Sequence, residues 1–135
     1  MDKIENYMSE DLIVIDVGAT IQDAAMAMRD NDVHSVIVKE EREYVGILTG
    51  VDITRKIVAP GLDPAQTKVS LIMESPLYTI DAGLPMDEAL LAMKKNHTRH
   101  IVVTCNSNVT GILSINDFVR YHSQNINDPV AEFWS

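Results

Sequence analysis

Two short segments carry a hydroxyl and a carboxylate three residues apart: Thr49-Gly50-Val51-Asp52 and Ser114-Ile115-Asn116-Asp117. A Gly-Ile-Leu run precedes each, at 46–48 and 111–113, so a strand is expected to deliver the hydroxyl to the first turn of a helix. The positive end of a helix favours an anion. A carboxylate placed there has two oxygens with which to grip a vicinal diol. Phosphate donors beside a diol-binding acid are what a ribonucleotide needs. The same spacing also makes a capping box, in which hydroxyl and carboxylate satisfy backbone N–H groups of the first turn. Asp stands at the third position in both copies, where Glu or Gln suits a box better, and capping does not require the Gly-Ile-Leu strand. The two roles are compatible, because one Thr can cap the helix while the site is empty.

The elements that must position these groups also occur twice. The motifs lie 65 positions apart, and residues 8–55 align with 73–120 without a gap, giving about 15 identities in 48 positions. Met8, Asp16, Gly18, Ala24, Met28, Asn31 and Val38 match Met73, Asp81, Gly83, Ala89, Met93, Asn96 and Val103. An ungapped internal repeat means two copies of one supersecondary unit, so a site in one copy is expected in the other. Each copy starts with a short apolar strand, Leu12–Ile15 or Leu77–Ile80, broken by an Asp and a Gly. Thr20 or Pro85 then opens a helix whose apolar positions, Ile21, Ala24, Ala25 and Met28 or Met86, Ala89, Leu90 and Met93, fall at helical spacing. Asn31 and Asn96 are expected to end these helices, since Asn tolerates the left-handed conformation. The runs 36–38 and 101–103 read as strands covered on both faces. A polar turn, the partner strand and a second helix follow, so the unit is β-α-β-β-α. Residues 56–70 contain Pro60, Gly61 and Pro64 and join the copies.

With 135 residues and 46% apolar content, the chain can bury a real core built on Ile, Val, Leu, Met and Ala, since aromatics make up 5%. A net charge of −9 argues against nucleic acid as a polymeric partner, because that contact needs Lys and Arg. The same charge repels a free phosphate at long range, so a nucleotide would need local donors. Cys105 is the only cysteine and reads as a structural or rim thiol. The first residues do not form a signal peptide, and no run approaches the ~20 apolar residues of a spanning helix, so a soluble cytoplasmic protein without a membrane contact is expected.

The motif G-h-h-[ST]-x-x-D, present twice in fixed register on β-α-β-β-α units, resembles the tandem cystathionine-β-synthase (CBS) domain pair, or Bateman module. The resemblance covers residues 3–121. It implies an α+β fold of two pseudo-symmetric repeats packed sheet to sheet, with a first repeat at 3–58, a connector at 59–67, a second repeat at 68–121 and a tail at 122–135. It also implies two clefts that hold adenosine-containing ligands. Carried over by position, one cleft uses Thr49 for phosphate and Asp52 for ribose, with Ile47 flanking, and takes Tyr78, Thr98 and Arg99 from the second repeat, Tyr78 near the base and Arg99 near phosphate. The other uses Ser114, Asp117 and Ile112 with Ile13, Val33 and His34. Arg99 is an obligate cation that suits phosphate, whereas a histidine is charged only when protonated; the Asp52 cleft is therefore expected to be the stronger. The implied ligand is AMP, ADP, ATP or S-adenosylmethionine, with no other cofactor. The implied assembly is a homodimer, with an effector protein as a further partner.

Other signals are weaker. His97, Arg99 and His100 cluster, but adjacent residues of a strand point to opposite faces and no cysteine is near, so no metal site is expected. The methionines read as core filler. No Gly-rich phosphate loop, nucleophile–base order or paired catalytic carboxylates occur, so an enzyme is not expected. The expectation is a stand-alone ligand-sensing regulatory module. The alternative is a protein-interaction or dimerisation scaffold with vestigial nucleotide sites. The apolar segment Val130–Trp134 is a candidate contact for either.

Overall fold

The computed structural model describes residues 2–125. They form two compact units, residues 12–77 and residues 2–11 together with 78–125.

In the 12–77 unit, the opening strand β1 spans Val14–Asp16. It starts later than the apolar run because ladder pairing begins at Val14↔Ile37, and it ends where Asp16 turns back to accept from Gly18 N–H at 2.9 Å. Helix α1, Ile21–Asn31, buries Ile21, Ala24 and Met28. Thr20 caps it in a complete box: its hydroxyl accepts from Asp23 N–H, and the Asp23 carboxylate accepts from Thr20 N–H, both at 3.1 Å. Strands β2, Ser35–Glu40, and β3, Glu43–Thr49, pair antiparallel with Ile37 opposite Ile47 and Ser35 opposite Thr49, while β1 runs parallel to β2. Helix α2, Gly50–Ile53, continues as a π-helix over Thr54–Val58. The core gathers Ile21, Ala24, Met28, Val36, Val38, Leu48 and Ile57.

The other unit repeats this order. Strand β4 is Thr79–Asp81, helix α3 is Met86–Asn96, strands β5 and β6 are His100–Cys105 and Asn108–Ser114, and helix α4 is Ile115–Asn125. The register is the same, with His100 opposite Ser114 and Val102 opposite Ile112. Its core holds Met86, Ala89, Met93, Ile101, Val103, Leu113 and Phe118. The class is α+β, with two three-stranded sheets. Three successive buried residues in β2 and in β5 bear out the reading of 36–38 and 101–103 as covered strands.

Both helices end at the expected Asn, but the left-handed residue is a different one. Asn31 and Asn96 are the last helical residues, and the left-handed position is the next one, Asp32 at φ 51° and His97 at φ 52°. Each Asn keeps helical backbone because its amide donates to the carbonyl four residues back, Ala27 or Ala92.

The compact units differ from the linear repeats at one segment. A 3-10 turn at Ile4–Asn6 leads into the first repeat, and another at Val69–Leu71 leads into the second. Ile4 and Tyr7 nevertheless bury in the core of the 78–125 unit, while Val69 and Ile72 bury in that of residues 12–77. Each leading segment then pairs with the motif strand of its unit: Ser9 exchanges two backbone bonds with Ile112, and Glu74 does the same with Ile47. Glycine permits the crossing. A Cβ at Gly46 would stand 2.8 Å from both the Met73 sulfur and the Glu74 carbonyl oxygen; at Gly111 it would stand 2.6 Å from the Met8 sulfur. Cys105 is exposed at the end of β5. Residues 126–135, with the apolar segment at 130–134, lie outside the described residues.

Candidate ligand-binding site

Strand β3 carries Thr49 to the end of its sheet beside the start of β2, and Gly50 N–H donates to His34 O at 3.1 Å as α2 begins. Asp52 lies in the first turn and is only 6% exposed; Thr49 is 4% exposed. Asp52 Oδ2 accepts from Thr49 N–H and from Thr49 Oγ1, both at 3.1 Å, and Asp52 N–H donates to Thr49 Oγ1 at 3.2 Å. This is a complete capping box, so Asp at the third position does not count against capping as the sequence reading held. The Thr20–Asp23 pair makes the same point, and its spacing was equally visible in the sequence.

The other oxygen, Asp52 Oδ1, lies 3.3 Å from Lys56 Nζ, which also donates to Ile72 O at 3.1 Å. Glu74 lies close enough to Asp52 for each acid to feel the other's charge. Burial, and then the Asp52 charge, push the Glu74 carboxyl up, with Lys56 opposing. Ile47 is buried in β3. Ile13 O accepts from Ile37 N–H at 2.9 Å, and Val33 N–H closes the end of α1 on Met28 O at 3.0 Å.

In the other unit Ser114 N–H donates to Asp117 Oδ2 at 2.8 Å, and Ser114 Oγ stands 3.4 Å from the same oxygen. Ile115 N–H donates to Arg99 O and Val102 N–H to Tyr78 O, both at 3.0 Å, while Thr98 Oγ1 donates to His100 O at 3.0 Å. Arg99 is exposed, and Ile112 is buried. Asp117 Oδ1 lies 3.5 Å from Arg120 Nη2, which donates to Tyr7 O. Burial raises the Asp117 carboxyl above its ordinary value, opposed by its hydrogen bonds from Ser114 and by Arg120. Ser9 stands at the register position of Glu74, so this end has a hydroxyl where the other has an acid.

Thus Ile47, Thr49 and Asp52 share one sheet end with Ile13, Val33 and His34, while Tyr78, Thr98 and Arg99 share the other with Ile112, Ser114 and Asp117. Each unit gathers half of each group expected from the sequence. The sequence reading missed Lys56, Arg120 and Glu74. The two cations stand four and three residues after the motif acid, a helical spacing that was available to find them. Glu74 had no local signal, because it arrives on a leading segment. Among the described residues no group of His, Cys, Asp and Glu is arranged to hold a metal, and no helix is long and apolar enough to cross a membrane.

The family model described as the CBS domain matches residues 4–59 and 69–123. The CBS domain-containing protein YhcV of Bacillus subtilis is 27% identical over 117 residues, spanning 87% of this chain and 83% of the relative. An uncharacterised conserved protein from Pyrococcus horikoshii superposes with a TM-score of 0.79 at 27% identity, covering 95% of this chain and 99% of that one. A CBS domain protein from Pyrobaculum aerophilum, complexed with AMP, superposes with a TM-score of 0.73 at 25% identity, covering 86% and 89%.

Proposed function

The chain belongs to the CBS-domain family, and from that premise we propose that it is a regulatory module for adenosine-containing ligands. One ligand is gripped through Asp52 and a second through Asp117. Binding is passed on through a partner protein or through a rearranged homodimer, and no reaction is catalysed.

One observation carries the reading: a hydroxyl and a carboxylate sit together at a helix start, at the end of equivalent sheets, in both units. Ribose needs a carboxylate held rigidly by donors on its far side, and phosphate is favoured at a helix N-terminus. The AMP-bound relative supports the ligand class. Arg99 and His34 occupy the same register position and are both exposed, and only Arg99 is always charged.

The test is calorimetric titration of AMP, ADP, ATP and S-adenosylmethionine into the wild type, Asp52→Ala and Asp117→Ala. Saturable binding that loses one site in each variant is the expected result. Adding Arg99→Ala to each background identifies which ligand's phosphate it serves. A folded, ligand-free protein giving no heat with any of the four would overturn the reading in favour of an interaction scaffold.

A further inference from the structure

Both motif carboxylates are held from two sides, and the second hold comes from different sequence positions in the two repeats. Lys56, four residues after Asp52, contacts Oδ1 and the Ile72 carbonyl. Arg120, three residues after Asp117, contacts Oδ1 and the Tyr7 carbonyl, and its guanidinium lies 5.4 Å from the centroid of the Tyr7 ring. Tyr7 and Ile72 are register equivalents, whereas Lys56 and Arg120 are not; the counterpart of Arg120 is Arg55. Two different side chains from different helix positions therefore reach the same two acceptors, the motif acid and the leading segment.

The lone pairs say what this does. A carboxylate offers about four acceptor positions. Asp52 spends two, both on Oδ2, with Thr49, while Lys56 Nζ stands 3.3 Å from Oδ1 as an ion pair. The positions left for a ligand are on Oδ1, and their direction is set by where Lys56 pulls that oxygen.

We propose that Lys56 and Arg120 are positioning residues for diol recognition, aiming Oδ1 of the motif acid and tying its aim to the leading segment through the Ile72 and Tyr7 carbonyls. This rests on the adenosyl reading above.

The probe pair is AMP and 2′-deoxy-AMP, which differ only in the diol. Titrations use Asp117→Ala as parent, so that Asp52 alone reports. The parent is expected to prefer AMP by about tenfold, the value of one hydrogen bond to a charged group. Lys56→Met should bring that preference close to unity while leaving 2′-deoxy-AMP binding within about threefold, and Lys56→Arg should restore it, since a guanidinium keeps the charge and has donors for both acceptors. Lys56 is exposed, so Lys56→Met is expected to fold; Lys56→Gln serves as a second neutral variant. Arg120→Met and Arg120→Lys repeat the experiment in Asp52→Ala. A preference unchanged in both Lys56→Met and Arg120→Met overturns the proposal, as does an arginine at 56 no better than methionine. If neither parent binds AMP, the functional reading fails and takes this proposal with it.

Discussion

Asp52 concentrates the chemistry of its unit: a buried carboxylate with Thr49 on one oxygen, Lys56 on the other and Glu74 beside it. Under the proposed function, truncating it removes the diol acceptor, and two hydrogen bonds to a charged group are worth about 3 kcal/mol or more together. Asp52→Ala is therefore expected to weaken its ligand by at least about a hundredfold by calorimetry; a loss under threefold would remove Asp52 from the site. Glu74 yields a pH prediction. Its folded pKa is raised above the ordinary 4.5, so its contribution to stability is fully present below that value and is lost as pH rises through the folded pKa. Glu74→Gln imitates the protonated acid. It should melt higher than the wild type at pH 7 and no higher at pH 3.5. Equal melting temperatures at pH 7 would mean that burial and the Asp52 charge do not disfavour the ionised Glu74.

At the scale of elements, strand β3 can be crossed by a leading segment only where it has no side chain. Alanine at Gly46 or Gly111 would force Cβ against a methionine sulfur and a backbone carbonyl. Overpacking of this kind costs about 1–3 kcal/mol, measurable by denaturant unfolding, and an unchanged midpoint in both variants would show that the crossing adapts freely. Helix α1 depends on its box as well: Thr20→Ala removes the acceptor for Asp23 N–H and is expected to cost about 1 kcal/mol. Much of this level was legible beforehand. Helical spacing found α1 and α3, and apolar runs found β2 and β5. The left-handed residues show the limit: the Asn reading was right about where helical backbone stops but not about which residue turns left-handed, because the amide was already committed to the preceding turn.

At the scale of the whole molecule, the leading segments decide which residues fold together. Residues 2–11 complete the 78–125 unit rather than the repeat they precede. Removing them should strip Ile4 and Tyr7 from that core and leave the 12–77 core whole. In hydrogen exchange, amides of β5 and β6 should lose protection well before those of β2 and β3. Equal loss in both hairpins, or loss confined to β2 and β3, would contradict the assignment.

The residue pattern alone determined the duplication, the element order, the α+β class and the hydroxyl–carboxylate motif, because each is written in spacing between near neighbours. A period of about 3.6 or of 2 and a fixed offset of 65 survive in a linear string. Only the tertiary structure decided that the leading segments exchange, that Glu74 comes near Asp52, and that Lys56 and Arg120 reach equivalent acceptors from unequal positions. These depend on backbone stretches 16 or more residues apart being brought to one sheet end. Hydrophobic burial of Ile4, Tyr7, Val69 and Ile72 drives that meeting, and no local periodicity records which core a buried residue will join.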